Sequence, residues 1–345
     1  MLKLTTARIG SMTLCVAFAS LAVSSLAAQE QSVLQRSQAE VQLNSPTNGL
    51  LDAAGLKPAA AGEQSPQEDL DLLTKGPLHE AFAEVQQESP VPNPIVTRQP
   101  PEAVKELPPK YQPEGENVEW IPGYWAWDDD SNDFLWVSGI WRVVPPGFQW
   151  ISGYWTPVDG GWQWIAGFWA PQDQQQVQNL PEPPATLEVG PNTPSPSADA
   201  FWVSGYWNWS GATYAWRPGF WTVAQPDWIW VPAYYTYTPT GYVFTGGYWD
   251  YTMATRGALY APVYFQQSVW SSPGFCYRPA FQINVNFLFN NLFARPSARH
   301  YYFGDYYDAC YAGRGFAPWY DFHGGRRGYD PLFSYYNWKI GRAHV

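Results

Sequence analysis

The densest run of metal-binding side chains in this sequence is Asp128-Asp-Asp-Ser-Asn-Asp133. Alternating Asp and Asn oxygens suit Ca²⁺, which takes about six to eight oxygen ligands, so Asp128, Asp130, Asn132 and Asp133 are its candidate ligands. The glycine and the closing acid of an EF-hand loop are both missing, and a solvated acidic turn is the competing reading. Cys276, His300, Cys310 and His323 are softer ligands, but their spacings match no compact zinc pattern. Asp305, Asp308 and Asp321 (near His323) could do acid–base work, yet no nucleophile stands with them. No catalytic residue, metal or cofactor is assigned, and the chain reads as non-enzymatic.

The other chemistry-bearing residues are aromatic. With 21 Trp and 23 Tyr, the chain has many faces able to stack on sugar rings or choline-like cations. Most Trp fall in a repeated W-x-x-G-[Y/F/I]-W motif and are expected to form core. Trp127, Trp162, Trp209 and Trp228 lie outside the six-residue motif, near turns, and are the candidate exposed contacts.

These residues must be positioned by the repeats. The first block holds Trp120–Trp125, Trp136–Trp141, Trp150–Trp155 and Trp164–Trp169. The second holds Trp202–Trp207, Trp216–Trp221, the degenerate Trp230–Tyr235 and Phe244–Trp249, with Tyr260–Phe265 as a worn further copy. A period near fourteen residues suits one strand plus one turn. In an antiparallel meander each hairpin centre falls midway between neighbouring repeat glycines. Those midpoints land on Asp130-Ser-Asn132, Pro145-Pro-Gly147, Asp159-Gly-Gly161, Ala212 beside Gly211, Gln225-Pro-Asp227 and Pro239-Thr-Gly241, nearly all with turn chemistry. The register lines up Gly123, Gly139, Gly153, Gly167, Gly205, Gly219 and Gly247 across the strands. A mid-strand glycine weakens a strand. A shared kink or bulge is therefore expected, with an aromatic ring of the neighbouring strand lying over the bare backbone.

Around the repeats the composition changes. Lys3 and Arg8, an apolar stretch from Met12 to Leu26 and the small residues at 25–28 predict a secretory signal over residues 1–28. No other apolar run reaches the length of about 18 residues that a spanning helix needs. Residues 29–113 are rich in Gln, Ala and Pro and are expected to be mostly disordered, with a helix near 67–88 from the spacing of Leu70, Leu73, Leu78, Phe82 and Val85. Repeat block one occupies 114–170, a Pro-rich linker 171–200 and block two 201–265. A Tyr/Gly-rich basic region spans 266–338, irregular except for a strand suggested by Phe281, Ile283, Val285 and Phe287. Residues 339–345 back-translate to ATC GGA AGA GCA CAC GTC after an AAG lysine codon, and are expected to be a sequencing-adapter read. With an exported chain, Cys276 and Cys310 are expected to pair as a disulfide. The net charge of −11 is concentrated before residue 266, which excludes nucleic acid as a partner. The basic tail, with Arg295, Arg299 and Arg314, could meet an acidic partner or dock on the acidic repeats.

The repeats resemble those of the WXXGXW (or YXWGXW) family of exported bacterial proteins. Gly76-Pro-Leu-His-Glu-Ala-Phe-Ala83, Pro113-Glu-Gly-Glu-Asn-Val-Glu-Trp120 and Arg299-His-Tyr-Tyr-Phe-Gly-Asp-Tyr-Tyr307 resemble its long planctomycete-type members. The resemblance implies no activity, cofactor or catalytic residue. The expected architecture is all-β, with antiparallel meander repeats in two blocks. The expected role is non-enzymatic, as a structural or interaction protein of the periplasm, cell envelope or medium with an envelope protein or polysaccharide as partner. The alternative is a carbohydrate-binding module that uses exposed Trp and Tyr.

Overall fold

In the computed structural model of this chain, residues 55–58, 70–86, 90–174, 176–323, 331–332 and 334–336 are described. All belong to one compact unit, Leu51–Val345. The expected signal segment and the suspected adapter residues lie outside the described set.

Two consecutive repeats make one hairpin. In the first, strands Val118–Ile121 and Tyr124–Asp128 run out and strands Asp133–Val137 and Ile140–Val143 return, with Trp120 opposite Trp141 and Trp125 opposite Trp136. The second pairs Phe148–Ile151 with Phe168–Pro171 and Tyr154–Val158 with Gly161–Ile165, setting Trp150 against Trp169 and Trp155 against Trp164. The third pairs Ala200–Val203 with Phe220–Val223 and Tyr206–Trp209 with Tyr214–Arg217. The fourth pairs Trp228–Val231 with Tyr248–Tyr251 and Tyr234–Thr238 with Gly241–Thr245. Every arm is interrupted at its glycine or, in one arm, at Ala233, and keeps one register across the break.

The all-β antiparallel architecture in two blocks is as expected, but the pairing is finer than a continuous meander. The centres at 131, 160, 212 and 240 are hairpin tips. Pro145-Pro-Gly147 and Gln225-Pro-Asp227 also turn the chain, with Phe148 N–H donating to Pro145 C=O and Trp228 N–H to Gln225 C=O. They join successive hairpins without pairing their strands. The strand Ile140–Val143 has its outer edge filled by Gly257–Ala258, so no place remains beside it for Phe148–Ile151.

Across each hairpin the indoles meet edge to face, as in Trp120–Trp141 (5.4 Å, 68°), Trp125–Trp136 (5.3 Å, 81°) and Trp230–Trp249 (5.2 Å, 72°). Such pairs add about 0.5–1.5 kcal/mol each beyond area burial. The two blocks share one core. Arg142 of the first hairpin grips Asp250 of the fourth with two 2.7 Å bonds, and Arg256 joins them at 3.0 Å, all three buried. Thr245 Oγ1 donates to Trp169 C=O, and Phe148 packs on Tyr248.

The expected helix near 67–88 is not formed over the described residues. Leu70–Leu72 is a strand on Val263–Phe265, and Gly76–Pro77 is a strand on His300–Phe303. The apolar residues that suggested a helix are anchors: Leu78, Phe82 and Val85 are at most 1% exposed in the core. The turn between them is held by Phe82 N–H donating to His79 C=O and by Ala81 N–H donating to His79 Nδ1. Residues 90–113, expected to be disordered, are also docked, with Ile95–Val96 extending the second hairpin. In the C-terminal region Phe281–Ile283 is a strand paired with Leu56–Pro58. It stops there because the Asn284 side chain caps Asn286 N–H and starts the short helix Val285–Leu288. A four-stranded sheet of Gly76–Pro77, His300–Phe303, Leu292–Arg295 and Ala317–Pro318 completes the unit.

Candidate functional site

At each kink an indole of the opposite arm lies over the glycine. A Cβ built on Gly139 would stand 2.6 Å from Trp120 Cζ2, on Gly205 2.6 Å from Trp216 Cζ2, and on Gly219 2.5 Å from Trp202 Cζ2. Only glycine leaves room for the ring. The kink also frees backbone N–H groups, which must find acceptors once buried. In three of the hairpins a glutamate from outside the repeats supplies the acceptor. Glu106 accepts from Gly123 N (2.6 Å), Gly139 N (3.0 Å) and Trp136 Nε1 (3.1 Å). Glu80 accepts from Gly167 N (2.9 Å) and Trp164 Nε1 (3.2 Å). Glu188 accepts from Gly205 N and from Trp202 Nε1 (3.1 Å).

Two of these acids ride on Pro-rich straps that dock alike. Trp125 Nε1 donates to Glu102 C=O, four residues before Glu106, and Trp207 Nε1 to Ala185 C=O, three before Glu188. The segment expected to be disordered and the segment read as a linker are therefore both ligands of their own hairpins. Sequence reasoning missed all three glutamates. For Glu106 and Glu188 a signal was present, since an acid follows Pro100-Pro101 and Pro183-Pro184 within a few residues in both straps.

Two of the three family-like segments, Gly76–Ala83 and Arg299–Tyr307, converge where Tyr124 of the first hairpin stacks on Trp164 of the second. Tyr124 OH bonds His300 Nε2 (2.8 Å) and accepts from Glu80 N–H (3.2 Å). His79 Nε2 sits 3.1 Å from Pro122 C=O, and Arg299 pairs with Glu84 at 2.7 Å. Burial dominates the electrostatics. It holds His79 at about 3 and His300 at about 4, so both are neutral. It also pushes Glu106 up to about 7 and, with the neighbouring Glu84 carboxylate, Glu80 up to about 8. The cluster's hydrogen bonds tie Glu80 and His300 to the first two hairpins.

The acidic turn at 128–133 is occupied by the protein itself. Arg295 bonds Asp129, Arg314 and Lys75 bond Asp130, Arg98 bonds Asp133 at 2.9 Å, and Tyr264 OH donates to Asp128. These partners compete directly with any Ca²⁺ at Asp128, Asp130 and Asp133, and Asn132 turns the corner with φ +52°. The basic tail thus docks on the acidic repeats. Among the described residues no group of three or more His, Cys, Asp or Glu is arranged to hold a metal.

The expected disulfide is not formed: Cys276 and Cys310 are free thiols. They belong to separate parts of the unit. Cys276 precedes Tyr277, which packs against Phe265, whereas Cys310 precedes Tyr311, which packs against Tyr306 and Phe316.

The turn tryptophans divide. Trp228 stacks on Tyr251 (4.8 Å), Trp209 packs on Tyr214 (4.9 Å), and Trp162 is half-buried on a strand that pairs with Ile95–Val96. Trp127 is half-buried against Phe134 and opens into a cleft of about 570 Å³. Tyr124, Trp155 and Trp164 form its walls, with Asn93 of the strap and Arg295 of the C-terminal sheet at its polar side. Another concavity, of about 700 Å³, lies between the third and fourth hairpins, but its acid, Glu188, is already spent on Gly205 and Trp202.

A family model described as WXXGXW repeat (2 copies) matches residues 120–142, 146–170, 201–222, 226–250 and 240–253. The first four segments coincide with the four hairpins, so the two copies in its description correspond to the two arms. No curated protein and no solved structure matches the chain.

Proposed function

We propose that this chain, which carries WXXGXW repeats between residues 120 and 253, is a non-enzymatic protein, exported to the envelope or the medium, that works by binding. The observation that carries this reading is how the polar and aromatic groups are used. The motif indoles are spent on Trp–Trp pairs and on covering glycines. The buried acids accept backbone and indole N–H groups, and both buried histidines are neutral. A scaffold held this way presents an open aromatic cleft instead of a reactive group. Export is supported by the charged start, apolar stretch and small-residue site within residues 1–28. Among the described residues no helix is long and apolar enough to cross a membrane.

The test is fractionation of cells expressing the full chain, followed by N-terminal sequencing. The expected product begins after Ala27 or Ala28 and is found in the washed envelope or the medium. Unprocessed protein in the cytoplasm would overturn the export reading. Envelope retention unchanged by Trp127→Ala would overturn the assignment of the cleft as the binding surface.

A further inference from the structure

We propose that the cleft beside Trp127 binds a neutral pyranose unit of a polysaccharide. This deepens the reading of the chain as a binding protein and rests on it. The walls are aromatic: Trp127 and Trp155 are half-buried side chains of two different hairpins, and Tyr124 stacks on Trp164 at 4.7 Å and 18°. Flat π faces pack against the C–H-rich face of a pyranose ring, whose rim of hydroxyls then needs both acceptors and donors.

Two residues that line the cleft each carry a buried polar atom without a partner. Asn93 Nδ2 donates to Trp164 C=O (2.9 Å), which fixes the amide orientation and leaves Oδ1 as a buried acceptor with no partner among the described residues. Arg295 Nε is likewise a buried donor with no bond. Unpaired buried polar atoms cost free energy unless something arrives to bond them. A ring hydroxyl can donate to Asn93 Oδ1 while another accepts from Arg295 Nε.

Charge selects against the other ligands that aromatic clefts take. The Arg295 guanidinium and the Asp129 carboxylate both line the cleft and are paired with each other, which leaves no net field to draw either a choline-like cation or an anionic sugar. Tyr124 OH is saturated by His300 and by Glu80 N–H, so it serves as wall and not as donor.

The experiment is isothermal titration of the purified full-length protein, with tryptophan fluorescence in parallel. The probes are a β-1,4-linked glucose hexamer, an N-acetylglucosamine hexamer, a galacturonate hexamer and choline. Binding of at least one neutral hexamer is expected, with neither galacturonate nor choline binding more tightly. Trp127→Ala and Asn93→Ser should each weaken it tenfold or more. Trp228→Ala, outside the cleft, should leave it unchanged. Near-ultraviolet circular dichroism of each variant separates lost binding from lost folding. No binding of either neutral hexamer, tighter binding of galacturonate or choline, or unaltered affinity in folded Trp127→Ala would overturn the proposal. Because the titration uses purified protein, its failure is separable from failure of the export reading, which fractionation alone decides.

Discussion

The fourth hairpin contains a natural variant of the kink, and it sets up a double-mutant cycle in the third. Where the other arms have glycine the fourth has Ala233, and where the covering indole would stand it has Phe244. The matching positions in the third hairpin are Gly205 and Trp216. A methyl group on Gly205 would lie 2.6 Å from both Trp216 Cζ2 and the Arg217 carbonyl oxygen, about 1 Å inside normal contact distance. It would also displace Gly205 N–H from Glu188. Overpacking costs about 1–3 kcal/mol and a strained bond to a carboxylate about 1 kcal/mol or more, so Gly205→Ala should lose about 3 kcal/mol. Trp216→Phe alone removes part of an edge-to-face pair with Trp207 (5.3 Å) and should cost about 1–2 kcal/mol. If the ring and the methyl group compete for one space, the double variant should be more stable than the sum of the two losses by at least about 1 kcal/mol. Urea unfolding followed by tryptophan fluorescence gives all three values, with Gly313→Ala as control, since a Cβ there meets nothing within 4 Å. Strict additivity, or a Gly205→Ala variant within about 0.5 kcal/mol of the parent, would refute the account of the kink.

Asp250→Ala would strand the buried guanidiniums of Arg142 and Arg256; a loss of about 3–5 kcal/mol is expected, read as a lowered urea midpoint. Stability should be dome-shaped in pH. Glu106 and Glu80 hold their protons up to about 7 and 8 in the folded chain against an ordinary 4.5, so their contribution is complete below 4.5 and is lost as pH rises through 7 and 8. His79 and His300 act oppositely: their contribution is present above 6.5 and is lost as pH falls through about 4 and 3. Glu106→Gln should flatten the alkaline side, and an unchanged slope there in pH-dependent denaturation would contradict the assignment. Finally, Cys310, exposed on the helix Ala309–Gly313, should be alkylated in the native protein, and non-reducing mass analysis should find no Cys276–Cys310 link.

Periodicity carried much of the fold. The hairpin tips at 131, 160, 212 and 240 and the ring over each glycine follow from the register alone, because pairing two arms about a turn fixes what faces what. The two inter-hairpin turns were not separable from the tips, since Pro145-Pro-Gly147 and Asp159-Gly-Gly161 carry equivalent local chemistry. What distinguishes the first of them is occupancy of a distant edge by Gly257–Ala258. The straps were illegible for a related reason. Composition marks residues 90–113 and 181–196 as extended, which is how they dock, but extension does not announce that an acid on them completes a kink. Leu78, Phe82 and Val85 satisfy a helical period while lying on a turn, because core anchors need apolar residues at intervals and not a particular secondary structure. Of the cleft, only Trp127 was marked by its position outside the motif. Asn93 and Arg295 reach it from segments about two hundred residues apart.

The glutamate-bearing straps change what counts as a module in this architecture. A hairpin excised from the chain would expose glycine and indole N–H groups at its kink that only an outside carboxylate has satisfied. The fourteen-residue word is therefore not something that can be shuffled, grafted or lengthened alone. The piece that travels intact is an acid-tipped arm together with the hairpin it locks, and a search for further proteins built this way should look upstream of the tryptophans for prolines followed by a glutamate.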